Sequence, residues 1–285
     1  MTRYSGINAR IGVQSADTSP YNIELIGDVE NFEVRGRGTA LQIPSLGNPY
    51  LSAIETGTVR PELELRFHPQ NTSYLHTYLI VQTGNNLSSH RVAYYSNSAD
   101  YGVLFGALPM QVEVNFGKNA PVMVRTTLLG TNWSTGLQTS TGNFSKAVSS
   151  TEPIMSEQLT SFRLLDGGTA RRDLTSLWRR GAFTVNYKSV PVFTGVGVTP
   201  TDVLEGVREV NGWAELSVNE STKLLPYVTN ASVLNVELGF QVAPMSTCYT
   251  FHSATFTLNT VTVPGVDIQR QRFEWQTRYV TRSSL

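Results

Sequence analysis

The chain has 285 residues, 40% of them hydrophobic and 15% charged, and its 22 Lys and Arg balance its 22 Asp and Glu. This length accommodates one large all-β domain or two ordinary ones, each with a core of its own, and zero net charge disfavours a tight nucleic-acid binder, whose affinity comes from a basic excess that releases counterions. A single cysteine, Cys248, excludes an internal disulfide framework, and His68, His76, His90 and His252 lack metal-ligand spacing, so no metal or other cofactor is expected.

The opening MTRYSGINAR has no apolar run of the signal-peptide kind, and no later stretch matches a membrane span in length, so a soluble product of the cytoplasm without a membrane partner is expected. Residues 22–34 (NIELIGDVENFEV) form the first predicted strand. In residues 59–69 (VRPELELRFHP) Leu63, Leu65 and Phe67 share one face, and Glu62, Glu64 and Arg66 the other. Such a strand needs a core on one side and a wet environment on the other. Residues 71–81 (NTSYLHTYLIV) set Tyr74, Leu75, Tyr78 and Leu79 at helical spacing behind Asn71 or Thr72 as N-cap, which predicts one short helix. MQVEVNF and PVMVRTTLLG, ending at Gly130, read as strands again.

From Thr131 to Arg180 the chain turns rich in Ser, Thr, Gly and Asn, the composition of a long solvated connection between domain 1 (1–130) and domain 2 (181–285). Near its end, Leu174, Leu177 and Trp178 lie on one side of ARRDLTSLWRR with Arg171, Arg172, Arg179 and Arg180 around them, which predicts a docked connector helix. Domain 2 is again strand-like, through GAFTVNYKSV, WAELSV, ATFTLNTVTV and RFEWQTRYV.

The two β-rich parts resemble each other. An offset of 151 (185 − 34) pairs Val34 with Val185, Val59 with Val210, Glu64 with Glu215 and Leu65 with Leu216. An offset of 146 (256 − 110) pairs Met110 with Phe256 and Val112 with Leu258. In the second copy Pro226 falls where the first has Leu75, so its helix must be short or distorted.

Catalytic signatures are missing. GVGVTP at Gly195 lacks the third glycine of a dinucleotide loop, RGRGTA at Gly36 reads as a hairpin tip, Asp166 sits in a turn without a calcium-loop pattern, and Cys248 has no paired base in sequence. No enzyme is expected. The polar strand faces carry Glu62, Glu64, Glu113, Asn115, Glu215, Ser217, Asn259, Glu274 and Gln276, a somewhat acidic set once the arginines at strand ends are set aside.

The order of strand, long hairpin, charged strand, short helix, closing hairpin and a strand ending in LLG resembles the tail tube protein of long-tailed, siphovirus-like bacteriophages. Residues 105–130 (FGALPMQVEVNFGKNAPVMVRTTLLG) carry this best, and the duplication is similar to members with two fused tube domains. The resemblance implies two tandem β-sandwich or barrel domains with a minor helix, whose strands join an inner barrel in a ring. It implies three chains per pseudo-sixfold ring, and rings stacked head to tail through two Gly- and Pro-rich hairpins, with Leu41, Ile43 and Tyr50 on one and Val192, Val196 and Val198 on the other. It also implies a virion protein, assembled in the host cytoplasm, that meets tape-measure, terminator and distal tail proteins and passes double-stranded DNA. The polar residues just named would then line the bore, and lysines at Glu64, Glu113 and Glu215 are expected to spare folding while slowing DNA exit. Two alternatives stay open: another tail component, such as a distal tail or tube-end protein, and a tandem β-sandwich that binds carbohydrate or a receptor through Trp133, Trp178 or Trp213.

Overall fold

The computed structural model describes residues 10–15, 24–44, 51–69, 74–80, 86–95, 101–135, 159–166, 169–195, 197–217, 233–242, 245–262 and 270–284. Nearly all of them lie in antiparallel strands, so the chain is all-β with a minor helix, as its alternating pattern predicts. The first unit holds β1 (Arg10–Ser15), β2 (Glu24–Leu25), β3 (Gly27–Pro44), β4 (Leu51–Pro69), a helical turn (Leu75–Leu79), β5 (His90–Tyr95), β6 (Tyr101–Gly117), β7 (Met123–Leu129) and β8 (Asn132–Thr135). The second holds β9 (Leu159–Asp166), β10 (Thr169–Asp173), β11 (Trp178–Asn186), a small hairpin of β12 (Val190–Val192) and β13 (Asp202–Leu204), β14 (Glu209–Ser217), β15 (Val233–Val242), β16 (Met245–Thr262), β17 (Arg270–Thr277) and β18 (Tyr279–Ser284).

Each unit is two sheets sharing one long strand. The N-terminal half of β6 pairs with β5 and β8, and its C-terminal half with β7. β16 does the same with β15, β18 and β17. The order β3-β4-β7-β6 in the first unit recurs as β11-β14-β17-β16 in the second, and β6 pairs with β11 to join them into one eight-stranded sheet. Among the described residues this sheet does not close into a barrel within the chain.

The repeats carry their bulges at matching places. Between β3 and β4 the ladder skips Glu30, and between β11 and β14 it skips Arg179, an offset of 149 (179 − 30). Between β6 and β7 it skips Met110, and between β16 and β17 it skips Thr257, an offset of 147 (257 − 110). A third irregularity, between His90 and Val92 opposite Ala107 and Leu104, recurs between Leu234 and Val236 opposite Ala254 and Phe251. There Gly106 and Ser253, also 147 apart (253 − 106), both have left-handed backbone, at φ 59° and 52°. Bulges are inherited features of a strand pair. Their coincidence makes the two units structural repeats and corrects the sequence offsets of 151 and 146 to 149 and 147. The first correction moves Val34 onto Phe183 and Glu64 onto Trp213, on the same faces. The second moves the matches by one residue, so Val112 corresponds to Asn259 and faces are exchanged.

Packing explains why so little identity survives. The row Val34, Leu63, Leu128 and Pro109 in the first repeat becomes Phe183, Gly212, Trp275 and Phe256 in the second. Two adjacent leucines are replaced by a glycine beside a tryptophan, and a Cβ on Gly212 would collide with the Trp275 ring. Close-packed interiors conserve local volume more strictly than they conserve residue type. One continuous core contains Leu63, Leu65, Phe67 and Val112 of the first repeat together with Phe183, Val210, Phe251 and Trp275 of the second.

The predicted helix at 71–81 is a single wide turn over Leu75–Leu79, in which Ile80 N–H donates to the Leu75 carbonyl at 2.6 Å. Asn71 and Thr72, its expected caps, and Pro226 lie outside the described residues. Leu75 and Leu79 are buried, as their spacing requires. The turn bridges the repeats, because His76 hydrogen-bonds the Tyr249 hydroxyl and the Tyr187 hydroxyl donates to the Leu79 carbonyl at 2.7 Å. The predicted connector helix at 170–180 is corrected: residues 174–177 make one turn, with Trp178 N–H donating to the Leu174 carbonyl at 3.2 Å, between strands β10 and β11. One turn is enough to bury Leu174 and Trp178 on the same side. The connection predicted over 131–180 is likewise shortened, since β8 belongs to the first repeat and β9 and β10 to the second. Residues 136–158 lie outside the described set.

Two imidazoles are buried near this junction. Burial lowers the His76 pKa to about 3, with Arg282 adding to the shift, and lowers that of His90 to about 4 against a backbone hydrogen bond with Ser88. Both are neutral in the folded chain, whereas unfolded histidine titrates near 6.5. Their contribution is complete above about pH 6.5 and is lost as pH falls toward the folded values, about 2 kcal/mol for each at about pH 5. Urea midpoints measured from about pH 7.5 to about pH 5 are expected to fall, and to fall less steeply in a His76→Gln, His90→Gln variant.

Candidate functional site

The apolar face of the eight-stranded sheet packs on the second sheet of each repeat, which leaves its polar face as the large charged surface. Cross-strand register gathers Glu62, Glu64, Glu113, Asn115, Glu215, Ser217, Glu274 and Gln276 on that face, although they come from four strands. One row runs Arg66, Arg125, Glu113, Thr184, Asn211 and Gln276, and another runs Asn115, Ala182, Trp213 and Glu274. Asn259 is the exception. The bulge at Thr257 shifts alternation by one residue, so Asn259 stands opposite Phe273 in the apolar-face register and Leu258 stands opposite Glu274 instead.

The face is also not acidic. Arginines predicted at strand ends lie among the glutamates and pair with them. Glu64 receives Arg35 at 2.9 Å and Arg125 at 2.6 Å, Glu62 receives Arg37 at 2.8 Å, and Glu215 receives Arg180 at 2.8 Å and Arg270 at 3.8 Å. Glu274 receives Arg272 at 2.8 Å, whose guanidinium lies 4.4 Å over the Trp213 ring. Glu30 receives Arg66 at 2.6 Å, Asn115 Nδ2 donates to Glu113 at 3.0 Å, and Arg179 bonds Ser217. The Arg35 pKa is raised first by its hydrogen bond to Glu33, with burial opposing and Glu64 and Glu62 reinforcing. A lattice of this kind is wet and nearly neutral, and it offers few unpaired charges to a passing polyanion.

Glu64 therefore meets two arginines at once, so lysine there is expected to lower stability. Glu64→Lys places a cation beside Arg35 and Arg125, and about 2 kcal/mol of stability should be lost, against about 1 kcal/mol for Glu64→Gln. Urea denaturation at low and high salt checks both, and the difference between them should shrink as salt rises.

Of the hairpin candidates, Leu41 and Ile43 lie in the distal part of β3, while Tyr50 and Val196 fall outside the described residues. Val192 is half-buried in β12, and Val198 is exposed with its carbonyl accepting Val59 N–H at 2.6 Å. The second repeat's hairpin thus contacts the first repeat's within one chain. Of the aromatic-platform candidates, Trp178 is buried against Phe116, while half-buried Trp133 meets Tyr94 edge-on and half-buried Trp213 lies beneath Arg272. Among the described residues no group of three or more His, Cys, Asp or Glu could hold a metal ion, and no helix is long and apolar enough to cross a membrane.

The sheet ends matter as much as its face. Among the described residues, β3 at one end and residues 256–262 of β16 at the other have no strand on their outer edges. Val34 on β3 is 39% exposed, whereas its counterpart Phe183, covered by β6, is 1% exposed. No protein-family model matches the chain, and no curated protein matches it.

Proposed function

We propose that the chain is the building subunit of a hollow phage tail tube, whose stacked rings conduct double-stranded DNA from capsid to host. The observation that carries this reading is the β6–β11 junction, where one repeat extends the sheet of the other and leaves matching open edges at the two ends. Repeating that junction between chains gives a closed ring with no free strand edge. Three such sheets, with strands about 4.8 Å apart and tilted about 40°, make a cylinder about 48 Å across at the backbone. The apolar face is occupied by the outer sheets, so the polar lattice faces the bore and water fills it. Paired arginines and glutamates hold the phosphates weakly, and the duplex slides without sticking.

The role is structural and non-enzymatic. Its partners are further copies of the chain, transient DNA, and the tape-measure, terminator and distal tail proteins at the tube's ends, all within the virion tail. Electron microscopy of the purified protein tests the reading: rings or hollow filaments are expected, and monodisperse single particles at every concentration overturn it.

A further inference from the structure

We infer that the two open edges are partners of each other: β3 of one copy pairs antiparallel with β16 of the next, in the register that sets Val34 opposite Val261. The inference rests on the ring reading above but takes its geometry from within one chain. At the β6–β11 junction Val114 stands opposite Phe183, Glu113 opposite Thr184 and Val112 opposite Val185. The bulges map β11 onto β3 at 149 residues and β6 onto β16 at 147 residues. Translating each pair by these offsets gives Val34–Val261, Arg35–Thr260 and Gly36–Asn259.

Three further observations agree with this register. Face parity is kept, because Val34 pairs with Leu63 and Val261 with Gln271, which are both fully buried, while Arg35 and Thr260 lie in the polar rows of their sheets. A slip of one residue would set every apolar side chain against a polar one. The β3 edge can also accept a strand, since no proline interrupts its backbone donors from Gly27 to Ala40. Finally, Val34 is half-exposed only for want of a neighbour, since the covered positions Phe183 and Val185 of the other repeat are each 1% exposed.

Disulfide trapping tests the register in the full chain, with Cys248→Ser removing the native thiol. Arg35→Cys with Thr260→Cys joins aligned neighbours about 5 Å apart at Cα, whereas Arg35→Cys with Thr262→Cys joins residues two positions out of line, beyond the reach of about 7 Å that a disulfide allows. The aligned pair is expected to give covalent closed oligomers at about ten times the yield of the shifted pair. Hydrogen exchange on the unmodified protein is the second measurement, and should find the outward amides of residues 31–37 and 258–262 slowed in rings relative to dissociated chains. Rings that trap the shifted pair, or rings whose edge amides exchange as in the free chain, overturn the register and leave the tube reading standing. A chain that never assembles overturns both.

Discussion

Gly212→Leu is expected to lower the stability of the chain by about 3 kcal/mol, and adding Trp275→Leu is expected to return most of it. Gly212 lies directly opposite Trp275, whose indole occupies the space that a side chain at 212 would need. In the first repeat the same two places hold Leu63 and Leu128. Trp275→Leu alone removes a large, fully buried ring and is expected to cost about 3 kcal/mol through the cavity it leaves. The double variant rebuilds the leucine pair that the first repeat already packs, so it should fall within about 1 kcal/mol of the parent. Urea midpoints for the four proteins give the coupling energy. Strictly additive losses would mean that the two rows do not correspond, and the structural alignment of the repeats would be wrong.

Leu65→Lys should abolish the fold, with a loss above about 4 kcal/mol, while Arg66→Lys next to it should change stability by less than about 1 kcal/mol. Leu65 is fully buried between Phe32 and Thr126 on the neighbouring strands. An ammonium there would give up its hydration for a site whose nearest cross-strand hydroxyl, that of Thr126, is itself buried and already donates to the Gln111 carbonyl. Arg66 points to the opposite, wet face, where a lysine keeps the charge that Glu30 meets. Circular dichroism and urea titration of the pair read the two-sidedness of β4 directly. A folded Leu65→Lys protein would contradict the placement of the core.

Much of the candidate site is legible before any coordinates. Glu62, Glu64, Glu113 and Glu215 fall on the polar face because period-two alternation is a local property of each strand. Asn259 does not, because a bulge at Thr257 interrupts that alternation, and nothing in TFTLNT marks where the extra residue goes. The charge balance of the face is not legible along one strand, for a related reason. Arg125 meets Glu64 across 61 positions of sequence, and no count of residues along one strand shows that the two share a surface. The arginines set aside at strand ends turn out to be the counterions of the glutamates.

What the sequence by itself determined is the all-β class and the two-sided character of the strands, since alternation and turn residues are written locally. Tertiary structure alone decided the true offsets, the ion-pair lattice and the joining of β6 to β11. Each of these depends on which strand lies beside which and with what slip, a matter settled by cross-strand hydrogen bonds and side-chain volumes from residues far apart in the chain. The open edges at β3 and β16 follow from that same arrangement.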